Sequence, residues 1–100
     1  MENKTKLTPS QLNEELRELD GWIYEDSTIS RKFSLDNFSD ITAFLNHLVE
    51  TITEQNHHPD FSLDTSSRSI NVALTTHSEH AVTRADIDFA YKLNLWIPNT

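Results

Sequence analysis

Five histidines occur in this chain of 100 residues, and two of them stand side by side in "NHHPD", residues 56–60. Imidazole is the side chain whose ordinary titration falls near neutral pH, so grouped rings suit proton transfer to and from a bound substrate. His58 precedes Pro59, and a residue before proline is pushed out of the helical region, so a helix arriving from the N-terminal side ends here. His57 then sits in or just after its last turn, and neither ring is expected to be buried in the core. The negative end of the helix dipole and the acidic surroundings favour imidazolium, whereas burial in a pocket would favour the neutral ring.

A third ring, His77, closes the segment "INVALTTH". Ile70, Val72, Leu74 and Thr76 share one face of a strand, and Asn71, Ala73, Thr75 and His77 share the other. With the apolar face packed on helices, His77 emerges on the open face at the strand end and can approach the paired histidines across the sheet edge. His80 is expected in a solvent-exposed loop, and His47 reads as a partly exposed helix residue.

Other chemistries fare worse. His77, His80 and one ring of the pair could bind zinc, but no carboxylate or thiolate stands at a recognisable ligand spacing. "TTHSEH" offers hydroxyls without the strained elbow that presents a nucleophilic serine. The chain has no cysteine, which removes disulfides, thiol nucleophiles and thiolate metal sites. A single glycine leaves no phosphate-cradling loop. Paired histidines before a proline also occur as plain helix C-termini, with their rings on the last carbonyls, so these residues alone leave a structural role open.

The elements that must position these rings are well marked. In "LTPSQL", Thr8 caps a helix, Pro9 occupies its first turn, Gln11 completes a capping box and Leu7 staples against Leu12. Leu12, Leu16 and Leu19 form its stripe, and Gly21 falls where a helix end needs a left-handed residue. From Trp22 the period becomes two: Trp22 and Tyr24 precede "EDS", and Ile29, Arg31 and Phe33 follow it, as in a hairpin. A second helix starts near Asp36 or Asn37 and runs to about Asn56, with Phe38, Ile41, Leu45, Leu48 and Ile52 as its core stripe. "FSL" and "INVALTT", joined by "DTSSRS", form a second hairpin, with Phe61 more naturally a core strand residue than a stacking face. "VTRADI" opens a third helix with Thr83 as cap, Asp86 in the first turn and Val82 stapled against Ile87, and the helix ends before Pro98. The order α-β-β-α-β-β-α predicts an α+β fold, a four-stranded antiparallel sheet covered on one face by helices.

Length and charge bound the rest. One hundred residues make one domain, with its core over about residues 7–97. No apolar run is long enough to span a bilayer and no secretory segment follows Met1, so a cytoplasmic protein without membrane contact is expected. A formal charge of −8 with only eight scattered lysines and arginines argues against direct nucleic-acid binding.

"NHHPDFSL", a polar turn, "INVALTTH" and "VTRADIDFA" together resemble the pterin-4a-carbinolamine dehydratase family. Its signature is a His-His-Pro triplet, a later strand-end histidine and an aspartate opening the last helix. The resemblance runs from about Leu7 to Trp96 and includes "GW" after the first helix. It implies that His57, His58 and His77 line an active site, with Pro59 shaping the loop and Thr76, Ser78 and Glu79 in the segment that contacts substrate; Phe61 is a candidate stacking face, and Asp86 matches the signature aspartate in a supporting role. The implied reaction dehydrates 4a-hydroxytetrahydropterin, with His58 and His77 handling protons and His57 binding or orienting the ring, and it needs no cofactor and no metal. Where the family often has an acidic residue four places before the first histidine, this chain has Thr53. Some proteins resembling the family act instead as binding modules, such as transcription cofactors or assembly factors. A homodimer or homotetramer is expected, and a protein partner is the alternative role.

Overall fold

The computed structural model describes residues 2–97. Helix α1, Pro9–Glu18, begins with the expected reciprocal cap: Gln11 N–H donates to Thr8 Oγ1 at 3.1 Å and Thr8 N–H donates to Gln11 Oε1 at 2.8 Å. Its chain leaves through Leu19, which is buried, and through Gly21 at φ +85°. A Cβ on Gly21 would stand 2.6 Å from Arg31 Nε. Glycine therefore serves two needs there, the left-handed backbone and the space for Arg31. The Arg31 guanidinium lies 4.3 Å over the Phe33 ring and donates to Asn94 Oδ1 at 2.6 Å.

Strands β1 (Ile23–Glu25) and β2 (Thr28–Ser34) form the first hairpin, turning through Asp26 and Ser27, both at positive φ. Two consecutive left-handed residues match the twist of the paired strands. Strands β3 (Asp60–Asp64) and β4 (Ser69–Leu74) form the second. The sheet order is β1-β2-β4-β3, antiparallel throughout, with Ile29, Arg31 and Phe33 opposite Leu74, Val72 and Ile70. This is the α+β arrangement the alternation predicts. Ile70, Val72 and Leu74 are buried while Asn71 is exposed, as the parity requires. The strand stops at Leu74, so His77, expected at the strand end, instead opens a 3-10 turn, His77–Glu79, and is exposed there.

Helix α2, Phe38–Gln55, is capped by Asn37, whose Oδ1 accepts from Asp40 N–H at 2.8 Å. Its buried stripe is Ile41, Phe44, Leu48 and Thr51, a spacing of three and four. Phe38 does not belong to it: that ring is 59 % exposed. At about 100° per residue, the buried face centres between Phe44 and Leu48, and Phe38 falls on the same outer flank as the exposed Val49. Leu45 and Ile52 sit at the rim, half-buried. Phe44 is the hub, with its ring centroid 4.5 Å from Phe33 and 5.3 Å from Trp96.

Helix α3, Arg84–Asn94, packs beside α2 and buries Ala85, Ile87, Phe89, Ala90 and Leu93. His47 on α2 is half-buried, with its Nε2 2.9 Å from the Lys92 carbonyl oxygen. The helix ends at Asn94, ahead of Pro98, which lies outside the described residues. Among the described residues no helix is long and apolar enough to cross a membrane.

Candidate active site

The end of α2 decides how the paired histidines part company. Asn56 adopts the left-handed conformation, φ 52° and ψ 43°, and its N–H donates to the Ile52 carbonyl. Beyond that reversal His57 lies inside, while His58, which precedes Pro59, stays outside. His57 is therefore buried, 5 % exposed, and the expectation that both rings avoid burial is wrong for it; His58 is exposed as expected.

Both nitrogens of His57 meet carboxylates. Nε2 lies 2.6 Å from Asp86 Oδ1 and Nδ1 lies 2.5 Å from Glu2 Oε2. A carboxylate only accepts, so satisfying both contacts requires a ring that donates from both nitrogens, an imidazolium. The bond to Asp86 is the main reason the His57 pKa is raised above its ordinary 6.5; burial opposes it, and the contact with Glu2 adds to it.

Asp86 is fully buried, and its helix-capping role accounts for only half of it. Oδ2 accepts from Thr83 N–H at 2.8 Å, as a cap should, and from Thr76 Oγ1 at 2.9 Å. Oδ1 is turned to His57. Thr76 and Thr83 hydroxyls lie 2.6 Å apart, which completes a buried chain of polar groups joining the end of α2, the end of β4 and the start of α3. Each member has a partner, and that is what makes such a network tolerable inside a core.

In front of this network lies a depression of about 190 Å³ lined by Glu2, Lys4, His57, His58, Thr75, Thr76, His77 and Ser78. His77 and Ser78 reach it from a single 3-10 turn, His77–Glu79, which follows β4 and is exposed at both of those residues. The three histidines named from the sequence thus border one hollow. A larger hollow of about 470 Å³ by Gln55, Asp88, Tyr91, Lys92 and Leu95 contains no imidazole.

The remaining sequence candidates divide. Thr76 borders the depression, but its hydroxyl is engaged with Thr83 and Asp86. Ser78 borders it with its hydroxyl 3.3 Å from Glu79 Oε2. Glu79, Pro59 and Phe61 are not among its lining residues. Phe61 is not a core residue either: it is 45 % exposed on β3, an edge strand, and borders a separate hollow with Ser30, Asp60 and Asn71. Its partner Val72 is buried because β4 is flanked on both sides, whereas β3 has a neighbour on one side only. Glu2 and Lys4 were invisible to pattern reading, since they lie ahead of the first helix in a segment with no periodicity. That segment is held by a bridge between Lys6 and Thr83 and by Arg84 N–H donating to the Thr5 carbonyl at 2.9 Å.

Comparison with known proteins identifies the family. Residues 5–96 match the family model described as pterin 4 alpha carbinolamine dehydratase. Relatives from Brucella ovis and Brucella canis, provisionally named pterin-4-alpha-carbinolamine dehydratases, are 37 % identical over 93 residues, covering 91 % of this chain and 94 % of theirs. A crystal structure of a transcriptional coactivator/pterin dehydratase from Brucella melitensis is similar with a TM-score of 0.82 and 37 % identity, covering 90 % of this chain and 96 % of that one. Sequence and fold converge on one assignment: the chain belongs to the pterin 4 alpha carbinolamine dehydratase family.

Proposed function

We propose that this chain dehydrates 4a-hydroxytetrahydropterin to quinonoid dihydropterin, acting in the cytoplasm as a homo-oligomer that keeps a pterin cofactor cycle turning. The observation that carries the reading is the grouping of His57, His58 and His77 around one depression, from chain segments twenty residues apart. The reaction breaks the C4a–O bond and the N5–H bond and makes a C4a=N5 double bond, releasing water. It needs one proton delivered to the departing hydroxyl and one taken from N5. His58 and His77, exposed and bordering the hollow, serve as that acid and base. His57, whose nitrogens are both occupied, orients the ring and contributes charge. Each well-placed acid or base is worth about 10²- to 10⁴-fold in rate.

The test is turnover of a synthetic 4a-carbinolamine by the purified protein and by His58→Ala and His77→Ala. Each substitution should lower the rate by about that factor. Unchanged turnover in both would remove the assignment.

A second reading, a protein-binding module, draws on the relative named as a coactivator and on β3, an edge strand with Phe61 and Leu63 exposed. Such an edge can accept another chain. A stoichiometric partner combined with no pterin activity would make this the better description.

A further inference from the structure

Glu2, in the segment ahead of α1, bonds His57. We propose that Glu2 is a positioning residue of the reaction site: with Asp86 it clamps His57 as a doubly donating ring, setting a fixed positive charge in the wall of the depression and leaving proton exchange to His58 and His77. The inference rests on the dehydratase reading above and deepens it.

The charges facing His57 come from three parts of the chain. Glu2 and Lys4 belong to the N-terminal segment, with Lys4 Nζ 3.7 Å from Glu2 Oε1, so the Glu2 carboxylate bridges two cations. Asp86 comes from α3, which also brings the Phe89 ring edge-on at 6.3 Å between centroids. His58 and His77 border the same hollow. Counting the two carboxylates, Lys4 and a protonated His57, the formal charges sum to zero. A neutral His57 would leave a net negative charge and turn one nitrogen lone pair toward a carboxylate oxygen 2.5 or 2.6 Å away, an arrangement that repels.

The clamp also fixes ring orientation. One bond on each nitrogen leaves the imidazole no freedom to flip, and neither nitrogen can accept a proton from substrate. What His57 supplies to the reaction is electrostatic. A cation already in place beside the depression lowers the energy of the negative charge that gathers on oxygen as the C4a–O bond breaks, with no rearrangement during the step. The N-terminal segment is thereby a wall of the site, and Lys6 and Thr5 tie it to the start of α3, the helix that carries Asp86.

Glu2→Gln tests this with little risk to folding, because it is nearly isosteric and Glu2 lies outside every helix and strand. Ring titrations by NMR, without substrate, should show the His57 midpoint falling by about one pH unit or more in the variant. The alkaline limb of kcat/KM for the 4a-carbinolamine should move to lower pH in step with that midpoint. A residue that merely braced the fold would depress the rate at every pH and leave the limb in place. An unshifted His57 midpoint, or a limb that stays put while the midpoint moves, overturns the role of Glu2 even when the wild type is active. No turnover by the wild type overturns the dehydratase reading and with it that role, while the NMR titration in the same samples still reports whether the clamp forms.

Discussion

Asp86→Asn separates what the buried network does for the fold from what it does for the site. The native carboxylate accepts three bonds, from His57 Nε2 at 2.6 Å, Thr76 Oγ1 at 2.9 Å and Thr83 N–H at 2.8 Å. An amide keeps one oxygen. Turned so that the oxygen stays with Thr76 and Thr83, its NH₂ meets His57 Nε2, which accepts only after giving up its proton. Turned the other way, NH₂ faces the Thr83 N–H, donor against donor, so the first orientation prevails and His57 becomes a neutral ring donating to Glu2. The loss is the charge assistance of a buried bond, about 1.5–3 kcal/mol, short of the roughly 3–5 kcal/mol for stranding a buried charge. In a domain of this size each kcal/mol moves Tm by about 4–8 °C, so the variant should melt roughly 6–24 °C below the wild type.

The pH dependence supplies a second signature. The folded-state pKa of His57 is raised, so its contribution is complete below the unfolded value of about 6.5 and disappears as pH rises through the higher folded value. Wild-type stability should therefore decline across that window, by at most about 1.4 kcal/mol per pH unit, and the decline should flatten in Asp86→Asn. Circular-dichroism melts and urea titrations from pH 6 upward at fixed salt measure both quantities. A variant that melts with the wild type at pH 6, or that keeps the full decline, refutes the ion-paired description of His57.

Three further outcomes follow from the packing. Phe44→Ala removes a fully buried ring that touches Phe33 and Trp96; it should cost about 3–5 kcal/mol, visible in urea titration followed by tryptophan fluorescence. Phe38→Ser, on the exposed flank of the same helix, should change stability by no more than about 0.5 kcal/mol; a loss comparable to that of Phe44→Ala would mean that the buried stripe runs through Phe38 after all. Gly21→Ala places a methyl group 2.6 Å from Arg31 Nε at φ +85° and should cost about 1–3 kcal/mol by the same titration, whereas a stabilised variant would show that neither the backbone nor Arg31 is constrained there.

The fold was legible wherever local chemistry repeats on a short period. Thr8, Gln11 and Thr83 announce helix starts through bonds that reach only three residues, and the alternation from Ile70 to Leu74 tells the helix-covered face from the open one without any tertiary information. The alternation stops at Leu74, so it did not foresee the 3-10 turn that carries His77. What escaped depends on contacts remote in sequence or on a single backbone torsion. Asn56 is a residue type that tolerates the left-handed turn it makes, but nothing local says that the turn sends His57 inside and leaves His58 outside. Phe38 and Phe44 both fit a helical stripe; which one is buried depends on where α3 and the sheet lie around the axis. Glu2 belongs to no periodic element, so its meeting with His57, 55 residues away, had no local signal.

The polar chain from His57 through Asp86 to Thr76 and Thr83 ties three segments together, so ancestry and activity leave different traces in this architecture. A descendant released from catalysis would lose stability on discarding the inner ring or its aspartate, yet little on discarding the outward-facing imidazoles at 58 and 77. Retention of the hidden pair in a distant cousin therefore speaks only for a shared scaffold. Retention of the two outward rings is the better guide to which cousins still turn over substrate.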